Sequence, residues 1–204
     1  MILIVSDSHK EFKSSLSVAN YIQQGIEKKC NIKCQLVGIS DGGEGFLETI
    51  ISNINAKVHN IKVHDPIGKK THARIGVYEK TAIIEMAEAS GVQKFKNGQR
   101  DFINSSSFGT GELISFAIKK GCKKIILGLG GAATGDGGIG AAQALGVKFN
   151  LNTKEKSDIH KILSTKDLMQ IEDFEIDQIV SNYQNIDLII ASDVKNPAIG
   201  NNGA

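Results

Sequence analysis

The sequence lacks most of the features that would place it in a specialised class. It has 2 prolines in 204 residues, so it is not Pro-Gly low-complexity material. Its 3 cysteines, Cys30, Cys34 and Cys122, form an odd set without metal-type spacing. They read as indifferent thiols in a reducing compartment, not as a disulfide framework. The 5 histidines (His9, His59, His64, His72, His160) are scattered, and none pairs with a cysteine or carboxylate at zinc spacing. No apolar run approaches the roughly 18 residues of a membrane-spanning helix. The opening MILIVSDSHK lacks a basic stretch and a small-residue cleavage site. No membrane partner and a cytoplasmic location are expected. Lys and Arg number 24 against 22 Asp and Glu, a net charge of +2 without a basic block. That excludes the electrostatic footprint of nucleic-acid binding. A chain 41% hydrophobic and 23% charged is also not wholly disordered. The one excess is glycine, 22 residues, where an average chain of this length has roughly 7%.

Patterning organises the chain. Ile2 to Val5 is a short apolar run ending in Ser6-Asp7-Ser8, the look of a buried parallel strand with a polar loop after it. Ser17 is placed to cap a helix whose face carries Val18, Ala19, Ile22 and Ile26. A second strand, Lys33 to Ile39, ends in Ser40-Asp41-Gly42-Gly43, and Phe46, Leu47, Ile50, Ile51 and Ile54 then recur at helical spacing. This βαβα start predicts parallel strands with crossover helices. Lys57 to Val63, His72 to Tyr78 and Thr81 to Met86 are strand-like with only turns between them, which predicts antiparallel hairpins. From Ser105 the α/β rhythm returns: a helix at Glu112 to Lys120, a strand at Ile125 to Leu129, a short helix at Gly140 to Leu145 and a strand at Ile186 to Ala191. Lys148 to Gln170 reads as a polar surface connection with one short helix. The expected fold is α/β: a Rossmann-like parallel sheet with flanking helices from residues 1–62 and about 101–204, plus a smaller hairpin-rich mixed element at about 63–100.

Glycine concentrates in loops after strands, where open α/β sheets bind ligands. Gly128 to Gly138 holds 6 glycines in 11 residues, more than tight packing needs. Such a loop offers backbone N–H groups to an anion, and Gly130, Gly131, Thr134 and Gly137 are its candidate contacts. Asp136 within it is a candidate metal ligand. Gly128-x-Gly130-x-x-Ala133 matches a dinucleotide fingerprint only weakly, because glycines continue where that motif needs a helix. No P-loop motif is present. Ser105-Ser106-Ser107-Phe108-Gly109-Thr110-Gly111-Glu112 opens a helix. Its hydroxyls and N–H groups at Ser106, Ser107, Gly109 and Thr110 serve either an anion or plain capping. Asp41-Gly42-Gly43-Glu44-Gly45 carries two carboxylates suited to orient a hydroxyl or act as general base. The plain alternative is a capping box with Asp41 as N-cap. Asp193 ends an apolar strand and suits a metal or substrate, or merely starts a turn. Lys13 could neutralise a phosphate or be simply solvated. Glu85, directly after an apolar run, needs a partner if its face is buried.

Read together, Asp7-Ser8, Phe12-Lys13-Ser14-Ser15-Leu16-Ser17, Asp41 to Gly45, Asp65-Pro66-Ile67-Gly68, Ile84 to Gly91, Phe108 to Ile114, Gly130 to Gly138 and Asp193-Val194-Lys195-Asn196-Pro197 resemble, in order, the motifs of the bacterial type I glycerate kinases. The resemblance implies ATP- and Mg²⁺-dependent phosphorylation of D-glycerate, usually to 2-phosphoglycerate. It also implies two α/β lobes with the active site in the cleft between them. On that footing Asp41, Glu44, Asp193 and Lys13 are the catalytic candidates. Gly42, Gly43, Ser106, Ser107, Gly109, Thr110 and the glycine loop would bind substrate or nucleotide, and Asp136 and Asp193 would lie near Mg²⁺. Which loop takes ATP and which takes glycerate stays open, as does the oligomeric state.

Three departures from the family pattern stand out. His9-Lys10-Glu11 looks inserted, which makes Lys13 the counterpart of the family's motif lysine, ahead of Lys10. Ala132 and Gly135 replace a Ser and an Asn in the family's glycine loop, and Ala198 replaces a Leu after Asn-Pro. Family members also continue beyond the point matched by Ala204, so the second lobe is expected to be incomplete here. Two alternatives therefore stand beside the kinase: an inactive truncated fragment, and a non-catalytic nucleotide- or anion-binding module.

Overall fold

The computed structural model describes residues 1–7, 14–30, 32–95, 100–152, 161–176, 183–197, 199–200 and 203. Lys13, His9 to Glu11, Gly98 and Ala198 lie outside them.

The chain runs β1 (Ile2–Ser6), α1 (Ser15–Lys29), β2 (Cys34–Gly38), α2 (Phe46–Asn53), β3 (Lys57–His64), β4 (Lys70–Tyr78), β5 (Thr81–Glu85), α3 (Ala87–Ser90), α4 (Phe108–Lys119), β6 (Lys124–Gly128), α5 (Ile139–Ala144), β7 (Lys148–Leu151), β8 (Ile171–Glu175) and β9 (Asp187–Ala191). β1 and β2 pair in parallel across the α1 crossover. The central sheet has five strands in the order β3-β4-β5-β6-β9. β3-β4 and β4-β5 are antiparallel, and β5-β6 and β6-β9 are parallel. The hairpin strands are thus continuous with the parallel strands, and β5 belongs to both. The fold is mixed α/β with a parallel-rich sheet and flanking helices, as the patterning implied.

β5 is buried on both faces. Ile84 joins Val63, Ala73, Ile75, Leu113 and Ile125 beneath α4, and Ile83 joins Phe46 and Leu47 beneath α2. An uninterrupted apolar strand is what a position between two helical layers requires.

Three local readings change. The N-cap of α1 is Ser14, whose hydroxyl accepts from Ser17 N, so the chain turns helical before Ser17. α4 starts at Phe108, one turn ahead of Glu112. The stretch read as a polar connection contains β7, which pairs antiparallel with β8. Polar residues alternate along β7 and outnumber apolar ones on β8, which hid both from a search for apolar runs.

Candidate functional site

β5, β6 and β9 end on one line: Glu85 pairs with Gly128, and Gly128 with Ala191. The loops leaving these three ends, and the loop after β2, meet there. Gly130 N donates to the Gly42 carbonyl at 2.9 Å, Leu129 N to the Ala191 carbonyl at 3.2 Å, and Met86 N to the Gly128 carbonyl at 2.9 Å. The approach is close enough that glycine is compulsory. A Cβ on Gly42 would run into the Ala191 carbonyl oxygen, and one on Gly130 would run into Gly43 Cα. Gly42 also holds φ +95°. Asp41, Gly42, Gly43, Glu44, Gly130, Gly131 and the start of the Asp193 loop are therefore neighbours by backbone packing. Asp41, Glu44 and Asp193 are exposed.

The capping-box alternative for Asp41 and Glu44 does not form. The N-cap of α2 is Gly45, in left-handed conformation. Asp41 Oδ1 instead accepts from Gly43 N at 2.8 Å, a local turn. The donors that open α2 are met by Glu85: Gly45 N reaches Oε1 at 3.1 Å and Leu47 N reaches Oε2 at 3.0 Å. Burial pushes the Glu85 carboxyl above the ordinary glutamate value, against the pull of the Leu47 and Gly45 amides. This is the partner that a buried Glu85 required.

The serine-rich segment is put to another use. Ser105, Ser106, Ser107 and Thr110 are buried. Ser107 N and Oγ both donate to Asp136 Oδ2 at 2.8 Å, and Ala141 N donates to Ser107 Oγ at 2.9 Å. Thr110 Oγ1 donates to Ser90 Oγ at 2.8 Å, and the Ser106 hydroxyl accepts from Phe108 N. Asp136, 1% exposed, also accepts from Gly138 N at 3.1 Å and Gly140 N at 3.2 Å. Its carboxylate fastens the start of α5 to the start of α4. Gly109 packs without space for a Cβ under the His64 carbonyl. Thr134 is half-buried and Gly137 is exposed, at φ +58°. These residues therefore split into two groups: an exposed carboxylate-and-glycine group at the strand ends, and a buried hydroxyl-and-carboxylate knot behind it.

The sequence reading missed one network. Arg74 on β4 donates through Nε and Nη2 to Glu88 Oε1 on α3 at 2.9 and 2.6 Å, and through Nη1 to Glu48 Oε2 on α2 at 3.0 Å. Its hydrogen bond to Glu88 holds the guanidinium above its ordinary value despite burial. The partners are far apart in the chain, so no local pattern announces them. Among the described residues, no group of three or more His, Cys, Asp or Glu is placed to hold a metal alone. No helix among them is long and apolar enough to cross a membrane.

Comparison with known proteins meets this geometry. The model of the "Glycerate kinase family" matches residues 2–204. The chain is 37% identical to the glycerate 2-kinase of Escherichia coli K12 over 207 residues, covering 100% of this chain and 53% of that one. It is 35% identical to the glycerate kinase of Halalkalibacterium halodurans over 206 residues, again 100% and 53%. The crystal structure of a protein assigned as glycerate kinase 2 from Salmonella typhimurium LT2 superposes with a TM-score of 0.83 at 34% identity, covering 100% of this chain and 54% of that one. The chain spans about half the length of the curated relatives it matches. With the motifs in order, the same fold, a family match over residues 2–204 and 37% identity to the Escherichia coli enzyme along the whole chain, the chain belongs to the glycerate kinase family.

Proposed function

We propose that this chain carries the site of an ATP-dependent kinase that phosphorylates D-glycerate, with 2-phosphoglycerate as product. The observation that carries this reading is the junction of three parallel strand ends with the Asp41 to Gly45 loop, which puts Asp41, Glu44 and Asp193 on adjoining loops. Phosphoryl transfer is mostly positioning and charge stabilisation, and this set supplies both. Asp41 and Glu44 orient the accepting hydroxyl of glycerate and take up its proton. Backbone N–H groups at Gly131, Thr134 and Gly137 hold phosphate oxygens, while the Gly130 N–H, held by the Gly42 carbonyl, fixes the loop that presents them. Lys13, assigned from sequence alone, adds a counter-charge.

Mg²⁺ keeps several waters and substrate oxygens and needs only one or two protein carboxylates, so a lone exposed carboxylate fits it and a three-residue cage is not required. Asp193 is that carboxylate. When bound, Mg²⁺ neutralises charge developing on the phosphates. Asp136, with both oxygens already engaged, shapes the glycine loop and the start of α5 instead of facing the ion.

The test is a coupled ADP assay with D-glycerate on this chain extended to its relatives' length, with the product identified by phosphorus NMR. Appearance of 2-phosphoglycerate supports the reading. ATP binding by calorimetry without turnover would replace it with a non-catalytic binding module. A second reading has its own support. β9 leaves apolar residues bare at the sheet edge, which favours little or no turnover by these 204 residues alone. Family-like rates from the unextended chain would overturn it.

A further inference from the structure

Glu85 is the last residue of β5 and is 4% exposed. A buried carboxylate is costly unless its oxygens are met, and here each one is met by a different backbone amide of the α2 entry. α2 has no cap of its own, because Gly45 occupies the N-cap and offers no side chain. The φ of +84° at Gly45 disfavours any side chain there, so the usual Ser or Asp cap is ruled out by the backbone. Nor could a local cap tie the helix entry to the sheet. Glu85 does so. Its backbone pairs with Gly128, and Gly128 and Gly130 are where the Asp41 to Gly45 loop seats. We propose that Glu85 is a positioning residue for the transfer: its carboxylate clamps the Asp41 to Gly45 loop to the end of β5 and so holds Asp41 and Glu44 in their working places. The proposal rests on the kinase reading of that loop.

Glu88 on α3 and Arg74 on β4 act on the Glu85 carboxylate, and Arg74 is shared with Glu48 on α2. Protonation turns one acceptor oxygen into a donor facing an amide N–H, so half of the clamp is lost. With burial raising its pKa, that loss falls above the ordinary glutamate range as pH drops.

The test compares wild type, Glu85→Gln and Glu85→Asp in the chain extended to its relatives' length. Gln keeps the shape but turns an NH₂ toward one amide. In Glu85→Gln, exchange at the Gly45 and Leu47 amides is expected to rise about tenfold, the loss of one charge-assisted bond. kcat falls about 10- to 100-fold, as slight misplacement of reacting groups implies, with KM for ATP changed less than about threefold. The acid limb of the wild-type kcat profile moves to lower pH, leaving only the part owed to the proton-accepting carboxylates, and Glu85→Asp restores part of kcat together with a limb closer to that of wild type. A merely structural glutamate would lower stability without moving that limb. Unchanged exchange at both amides, or unchanged kcat and acid limb, overturns the proposal. If wild type turned over no glycerate, the kinase reading would fall and exchange alone would decide the clamp. If Glu85→Gln failed to fold, Glu85→Asp would carry the same measurements, with the acid limb shifted if the proposal holds and unmoved if it does not.

Discussion

The two edges of the central sheet follow different rules. At one edge, β3 alternates: Lys57, His59, Asn60 and Lys62 interrupt its apolar residues, and α4 packs along it. Lysines on an edge strand are a common guard against pairing with another chain. At the other edge, β9 reads Asp187-Leu188-Ile189-Ile190-Ala191, and Leu188, Ile189 and Ile190 are 50%, 41% and 47% exposed. That is the sequence of a central strand in an edge position. Leu3 and Val5 on β1 are likewise half exposed. The candidate site hangs from this second side, since Ala191 leads directly to Asp193. The side with the completed packing carries the buried knot, and the side with bare apolar strands carries the exposed carboxylates.

Substitutions should separate the two sides. Ile84→Ala empties a fully buried position of β5 and should cost about 2–5 kcal/mol in denaturant unfolding, whereas Ile189→Ala on β9 should cost about 1 kcal/mol or less. Equal costs would mean that β9 is as covered as β5. Asp136→Asn should cost about 2–3 kcal/mol, because it removes the charge that four donors share and turns an NH₂ toward some of them. A neutral outcome would remove the knot from the account.

Asp167 tests the same packed side at low pH. Burial disfavours its charge, but the Lys161 ammonium and the Ser164 donors outweigh burial and hold its pKa below the ordinary aspartate value. The folded state then binds fewer protons than the unfolded state in acid. The stability this carboxylate contributes is present above the unfolded value and lost as pH falls through the folded one. Asp167→Asn should therefore flatten the acid end of the stability profile, read by thermal midpoints between pH 2 and 5, roughly the span of shifted and unshifted carboxylates. The smallest effect on stability belongs to the bare edge. Ile189→Lys should leave unfolding within about 0.5 kcal/mol of wild type while reducing self-association of the 204-residue chain in sedimentation. Lys62→Ile on β3 should increase it.

Much of the sheet was legible because β1, β5, β6 and β9 are short apolar runs bounded by polar or glycine-rich loops. β7 and β8 were not, because Lys148-Phe149-Asn150-Leu151 and Ile171-Glu172-Asp173-Phe174-Glu175 bury too little to stand out. Motif order led to the family. Residue type, however, did not reveal which way the side chains point. Ser107 and Asp136 are 29 positions apart, and only the packing of α4 on α5 turns both inward. The reverse holds for Asp41 and Glu44, where the absence of a capping box leaves both carboxylates exposed beside the glycine junction.

The most direct measurement of the central claim is single-turnover phosphoryl transfer from ATP to D-glycerate by the chain extended to its relatives' length, comparing wild type with the Asp41→Asn, Glu44→Gln double variant. The expected result is phosphoglycerate formed by wild type and a rate reduced by about 10²–10⁴ in the double variant, with its fold intact. Wild-type rates from a folded double variant would place the chemistry elsewhere and contradict the account.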